Sequence, residues 1–101
     1  MVFDGFDWDY ANRGKCQKHG VSLIEIEGVL LGRPIVGPDF SHSGQERRFR
    51  AVGSTASGRS VFVVFTWRTE GQALRLRPIS ARYMHKKEVD AHAKEIPGIQ
   101  D

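Results

Sequence analysis

Arginine recurs in this chain where apolar strand residues are expected. Glu46-Arg47-Arg48-Phe49-Arg50-Ala51-Val52-Gly53 sets three guanidinium groups, Arg47, Arg48 and Arg50, among residues suited to a sheet. Val61-Phe62-Val63-Val64-Phe65-Thr66-Trp67-Arg68 ends a very apolar run on arginine, and Leu74-Arg75-Leu76-Arg77 alternates apolar with basic residues. Guanidinium is always charged, and its planar fork matches the paired oxygens of a phosphate. A sheet carrying such groups is a platform for a polyanion, RNA first among them.

RNA cleavage by attack of a 2′-OH on the adjacent phosphate needs a base, an acid and cations to hold the phosphorane charge. Glu46, His19 and His42 are the acid–base candidates; Arg48, Arg68 and Arg82 are the electrostatic clamps. If the strands around 46–53 and 59–67 pair through Ser54–Gly58, Glu46 and Arg48 fall at the same sheet end as Arg68. Arg82 then falls toward the opposite end, near Arg59, unless Pro78 bends its strand or the RNA spans the sheet. His19 has a competing role at a helix C-terminus, where the helix dipole favours a cation. His85, Glu88 and His92 share one helical face, but no fourth ligand accompanies them, which favours a solvated face over a zinc site. Lys86-Lys87 can reach phosphate from an exposed terminal helix. No phosphate-cradling glycine loop, pair of metal-binding cysteine motifs or nucleophile elbow is present, so no metal or cofactor is expected.

These residues must be positioned by a mixed set of elements. Asp7 or Asp9 caps a helix over about Tyr10–Lys18, with Gly20 just beyond it. Ser22 and Glu25 have capping-box spacing and open a second helix that Gly32 stops. Arg33-Pro34-Ile35-Val36 reads as a short edge strand and 37–44 as a loop. Strands follow near 46–53, 59–67 and 73–82, with turns at 54–58 and 69–72. The middle one is apolar on both parities and reads as an interior strand covered on both faces. Pro78 marks a bulge or an edge. Met84 to Lys94 reads as a helix ended by Ile96-Pro97-Gly98, and Phe3, Phe6 and Trp8 as packing beneath the first helix. The order is that of an α+β domain: two helices, a four-stranded mainly antiparallel sheet, and a C-terminal helix.

The composition agrees. At 101 residues, a single domain is expected across 1–101, with an ordered core over about 3–94. The formal charge of +3 hides an asymmetry, because residues 46–94 carry eleven Lys/Arg against four Asp/Glu while residues 1–45 carry four against six. Basic charge gathered on one part of the fold is the electrostatic footprint of nucleic-acid binding. The alternative is a solvated sheet face, or a non-catalytic module that binds nucleic acid or an acidic protein through it. One cysteine, Cys16, excludes an intrachain disulfide framework, and Met1–Asp4 lacks the form of a signal peptide, so a cytoplasmic location is expected. No apolar run suits a membrane span, since Glu25 and Glu27 interrupt the longest.

Four motifs in series resemble the BrnT family of bacterial type II toxins. They are Phe6-Asp7-Trp8-Asp9 with Lys18-His19-Gly20-Val21-Ser22; His42 with Glu46-Arg47-Arg48-Phe49 and Gly53; Gly58-Arg59 with Val63-Val64-Phe65-Thr66-Trp67-Arg68; and Ile79-Ser80-Ala81-Arg82 followed by Glu88. The resemblance spans about residues 3–92. It implies a RelE-like small ribonuclease, with helices packed on a curved antiparallel sheet and metal-independent cleavage by basic side chains. It further implies a BrnA-type antitoxin with a ribbon-helix-helix domain, through which alone the complex would bind operator DNA. Carried over by motif, Arg48, Arg68 and Arg82 are the functional candidates, with Glu46, Thr66 and Ser80 as neighbours.

Overall fold

The computed structural model describes residues 1–41, 44 and 46–95. Helix α1 spans Tyr10–Gln17 and α2 spans Leu23–Leu31. Both begin in reciprocal capping boxes. At α1, Asp9 Oδ1 accepts from the Asn12 backbone N–H at 3.0 Å, and Asn12 Oδ1 accepts from the Asp9 N–H at 2.7 Å. At α2, Ser22 and Glu25 exchange the same pair of bonds at 3.1 and 3.0 Å. Gly20, at φ +91°, reverses the chain between the helices, a backbone conformation that suits glycine.

Four antiparallel strands follow in the order β1 (Ile35–Pro38), β2 (Phe49–Ser54), β3 (Ser60–Glu70) and β4 (Ala73–Tyr83). The short first strand is an edge as expected, but it runs from Ile35 to Pro38, so Pro34 precedes it and residues 37–38, read as loop, extend it. Two further differences from the sequence reading bear on the site. Pairing of β3 with β4 continues through Thr69–Leu74 and Glu70–Ala73, because Gly71, at φ +60°, lets the chain reverse in the shortest distance. At the other end, β2 starts at Phe49 rather than near residue 46; the Arg47 carbonyl instead accepts the Thr66 hydroxyl at 2.7 Å. The irregularity expected at Pro78 is a bulge: Val64 faces Ser80 while Phe65 faces Pro78, leaving Ile79 unopposed.

One face of the sheet carries the core. Ala51, Val61, Val63, Phe65, Leu76 and Ala81 are buried against Cys16, Val21, Ile26, Val29 and Leu30 from the helical layer. Gly53 is where α2 comes closest, since a Cβ there would lie 2.9 Å from Val29 Cγ1. The N-terminal segment lies along the free side of β4 through a parallel bridge between Phe6 and Leu76. Phe3, Phe6 and Trp8 pack against the core from that segment, and Trp8 Nε1 donates to Glu27 on α2 at 2.8 Å.

The opposite face is only partly covered. Along it the register aligns Val52, Phe62 and Arg82 in one row and Arg50, Val64 and Ser80 in the next, with Thr66 beside Arg77 beyond. Phe62 and Val64 are half-buried, so β3 is interior in the sheet without being sealed on both faces. Helix α3 (Lys86–Glu95) meets this face through Glu88 and Arg82. The helix end expected at 96–98 lies outside the described residues.

Candidate functional site

Where α1 abuts the bulge of β4, a groove of about 260 Å³ opens. It is lined by Ala11, Asn12 and Lys15 from α1, Glu46 and Arg48 ahead of β2, Arg68 from β3, and Arg77, Pro78 and Ile79 from β4. Four cations therefore share it with one carboxylate. Arg68 Nη2 donates to Glu46 Oε2 at 2.8 Å, with both side chains well exposed, so the pair is a positioning contact worth little to stability. Arg77 is held from behind by Asp9 at 2.8 Å and Asp7 at 3.4 Å. The Asn12 N–H bond, followed in weight by Arg77, holds the Asp9 carboxyl below its usual range.

Asn12 forms the floor of this groove and ties its walls together. It is buried, and its amide nitrogen donates to the Asp7 and Pro78 carbonyls, each at 2.9 Å. The bulge frees the Pro78 carbonyl from regular pairing, and the Asn12 bond satisfies it. Thr66, also buried, anchors the Glu46–Arg48 segment through its bond to the Arg47 carbonyl.

A second groove of about 520 Å³ lies on the same sheet face, lined by Asp39, Ser41, Arg50, Val52, Phe62, Arg82, Met84, Glu88 and Ala91. Here Arg82 makes two parallel bonds to Glu88, Nη1 to Oε1 and Nη2 to Oε2, both at 2.8 Å. Its guanidinium carbon lies 4.9 Å from the centre of the Phe62 ring. The Glu88 carboxyl, bonded by Arg82 and by the His85 N–H, is lowered to about 2.

The fold thus brings Glu46, Arg48 and Arg68 together and sets Arg82 apart. Arg82 is opposite Phe62, six residues along β3 from Arg68, a separation of about 20 Å at the rise of a strand. Arg50 belongs with Arg82, and Ser80 lies in the row next to it. Arg47 is exposed, as is Lys86 at the start of α3. His19 is exposed beyond α1 and lines neither groove, while His42 lies outside the described residues.

Lys15 and Arg77 enter the first groove without having been singled out as site residues. Arg77 was legible as a basic residue in an alternating strand, and Lys15 as the residue one helical turn after Asn12. What brings them to Arg48 and Arg68 is the docking of α1 against β4, which no local pattern specifies. Cys16 is buried in the core, where desolvation raises its thiol to about 11, and it has no nucleophilic character there. Among the described residues, no three His, Cys, Asp or Glu side chains converge as metal ligands, and no helix is long and apolar enough to cross a membrane.

An open, cation-rich groove with one carboxylate at its rim suits the chemistry of a phosphodiester, with electrostatic stabilisation from fixed cations and a proton acceptor beside them. No curated protein matches the chain. Residues 8–88 match the family described as the ribonuclease toxin, BrnT, of a type II toxin–antitoxin system, and the chain belongs to that family of RNA-cleaving toxins.

Proposed function

We propose that the chain is a metal-independent endoribonuclease whose cleavage site is the groove between α1 and the β4 bulge. The observation that carries this reading is the convergence of Lys15, Arg48, Arg68 and Arg77 around Glu46. Arg48 and Arg68 take the non-bridging oxygens of the scissile phosphate and stabilise the extra charge of the phosphorane. Glu46 accepts the 2′-OH proton as that oxygen attacks phosphorus. The bond from phosphorus to the 5′-oxygen then breaks, leaving a 2′,3′-cyclic phosphate. Lys15 protonates the departing oxygen, a step closed to guanidinium, which does not give up its proton. Arg77, braced by Asp7 and Asp9, holds the field at the groove floor without moving.

The toxin acts in the cytoplasm and is neutralised by a BrnA-type antitoxin. That antitoxin carries the ribbon-helix-helix domain through which the complex reaches operator DNA. A basic sheet face that takes RNA also offers an acidic partner its surface, which supports inhibition by occlusion.

The test is cleavage of a defined RNA by the purified chain in EDTA, with product ends identified. Cyclic phosphate ends that disappear in Arg48→Ala and Arg68→Ala establish the reading. Intact RNA, or cleavage unaffected by both substitutions, refutes it, and intact RNA that is still bound in a salt-sensitive way identifies a binding module instead.

A further inference from the structure

The second groove has no part in the cleavage step above, yet its side chains form a recognisable set. Arg82 directs both of its terminal nitrogens at a pair of carboxylate oxygens, the geometry a phosphate would take. Phe62 has a half-buried ring on the sheet face beneath it, which the Arg82 guanidinium covers in the resting chain and uncovers when it turns to a phosphate. Arg50 is exposed one row along, and Met84 adds a polarisable apolar contact. An aromatic platform flanked by guanidinium groups is how proteins hold an unpaired nucleotide. On the same face, the row holding Val64 and Ser80 separates Phe62 and Arg82 from the row of Thr66 and Arg77, where the first groove begins.

We propose that this second groove is a nucleotide subsite for single-stranded RNA, with a base stacked on Phe62 and neighbouring phosphates on Arg82 and Arg50. The inference rests on RNA being the substrate and extends it to the length of strand the toxin grips. In the resting chain the Glu88 carboxylate occupies the Arg82 fork in place of phosphate. Asp39 and Glu88 balance the charge of Arg50 and Arg82 in the groove, so RNA is admitted as Glu88 gives way. Arg68 in the first groove and Arg82 in the second lie about 20 Å apart along β3, or about six nucleotides at the stacked rise of 3.4 Å. A decamer therefore reaches both grooves and a trimer only one.

The experiment measures Kd for 2′-O-methyl oligonucleotides, a trimer and a decamer, which cannot be cleaved through a 2′-OH. The quantity read is the ratio of trimer to decamer Kd. It is expected at about 100 in the native chain, on the scale of added stacking and phosphate contacts. Arg50→Ala, at an exposed position, and Phe62→Leu, which keeps apolar bulk without an aromatic face, each lower the ratio about tenfold. Glu88→Gln raises it about threefold, since the amide releases the fork. A ratio unchanged in Arg50→Ala and Phe62→Leu overturns the proposal and leaves the groove to a carboxylate-bearing protein segment. Length-dependent binding without cleavage of ordinary RNA would sink the nuclease mechanism alone; cleavage without length dependence would sink the subsite alone.

Discussion

The two grooves contain similar residues in opposite electrostatic conditions. In the α1–β4 groove, Lys15, Arg48 and Arg68 share the one carboxylate of Glu46, which Arg68 reaches through a single nitrogen, while Arg77 is paired from behind with Asp7 and Asp9. Around the α3 groove, two arginines meet two acids, and Arg82 is saturated by a bidentate partner. The lesson is that an anion site is made by cations left in excess, and a count of arginines does not reveal which ones are. A paired guanidinium on a sheet face is a fastener for a helix until something displaces its partner. An under-paired one is already an electrophilic clamp.

This contrast is open to test. The largest effect is expected at the clamp: Arg68→Ala or Arg48→Ala lowers kcat for RNA cleavage by about 10²–10³-fold, the scale of removing one preorganised charge-stabilising donor. Arg82→Ala, assayed beside them, lowers kcat/KM by about tenfold, as for a lost phosphate contact on the substrate strand. If Arg82→Ala matched the other two in kcat, the separation of cleavage from grip would break down.

A smaller but measurable effect is expected from the framework of the first groove. Asn12→Ala removes the Oδ1 that accepts from the Asp9 N–H and leaves the Pro78 carbonyl buried without its donor. Stability falls by about 2 kcal/mol, read as a lower midpoint in urea unfolding. Unchanged stability would mean that α1 does not depend on this bond to hold Lys15 near Arg48. Gly53→Ala, which faces α2 rather than either groove, costs about 1–3 kcal/mol through overpacking against Val29. It serves as a measure of what core damage alone does to activity. A loss of cleavage no greater than the unfolded fraction explains would sharpen the assignment of the Asn12 effect to the site.

The smallest effect concerns the α3 fastening. The Glu88 carboxyl has its folded value lowered to about 2 from an ordinary 4.5, so its pairing favours the docked helix fully above about pH 4.5. That contribution declines as pH falls between those values and is gone below about pH 2. Chemical shifts of α3 amides should therefore move through this window in the native chain and not in Glu88→Gln. Identical titrations in the two proteins would show that Glu88 does not fasten the helix.

Much of the fold was legible because its signals are local. Capping side chains reach only three residues ahead, so Asp9, Ser22 and Glu25 announce both N-terminal helices. Strand parity placed β3 in the sheet interior, and Pro78 announced the bulge. The start of β2 was less legible. Glu46 to Arg48 have strand composition, but Thr66, eighteen residues beyond Arg48, spends its hydroxyl on the Arg47 carbonyl. The site was legible in halves. Hairpin pairing through residues 54–58 put Glu46, Arg48 and Arg68 at one sheet end and Arg82 toward the other, and the register keeps them so.

The amino-acid order alone determined which segments form helices and strands, that β3 is interior, and that the sheet carries an excess of basic charge. Those properties follow from backbone preferences and side-chain alternation over a few residues. Tertiary structure decided which arginines stay under-paired. That outcome depends on α1 packing beside the bulge, which adds Lys15 to Arg48 and Arg68 while Asp7 and Asp9 hold Arg77, and on α3 bringing Glu88 onto Arg82. Local sequence sets each charge; only packing sets the distance to its partners, and Coulomb energy depends on that distance.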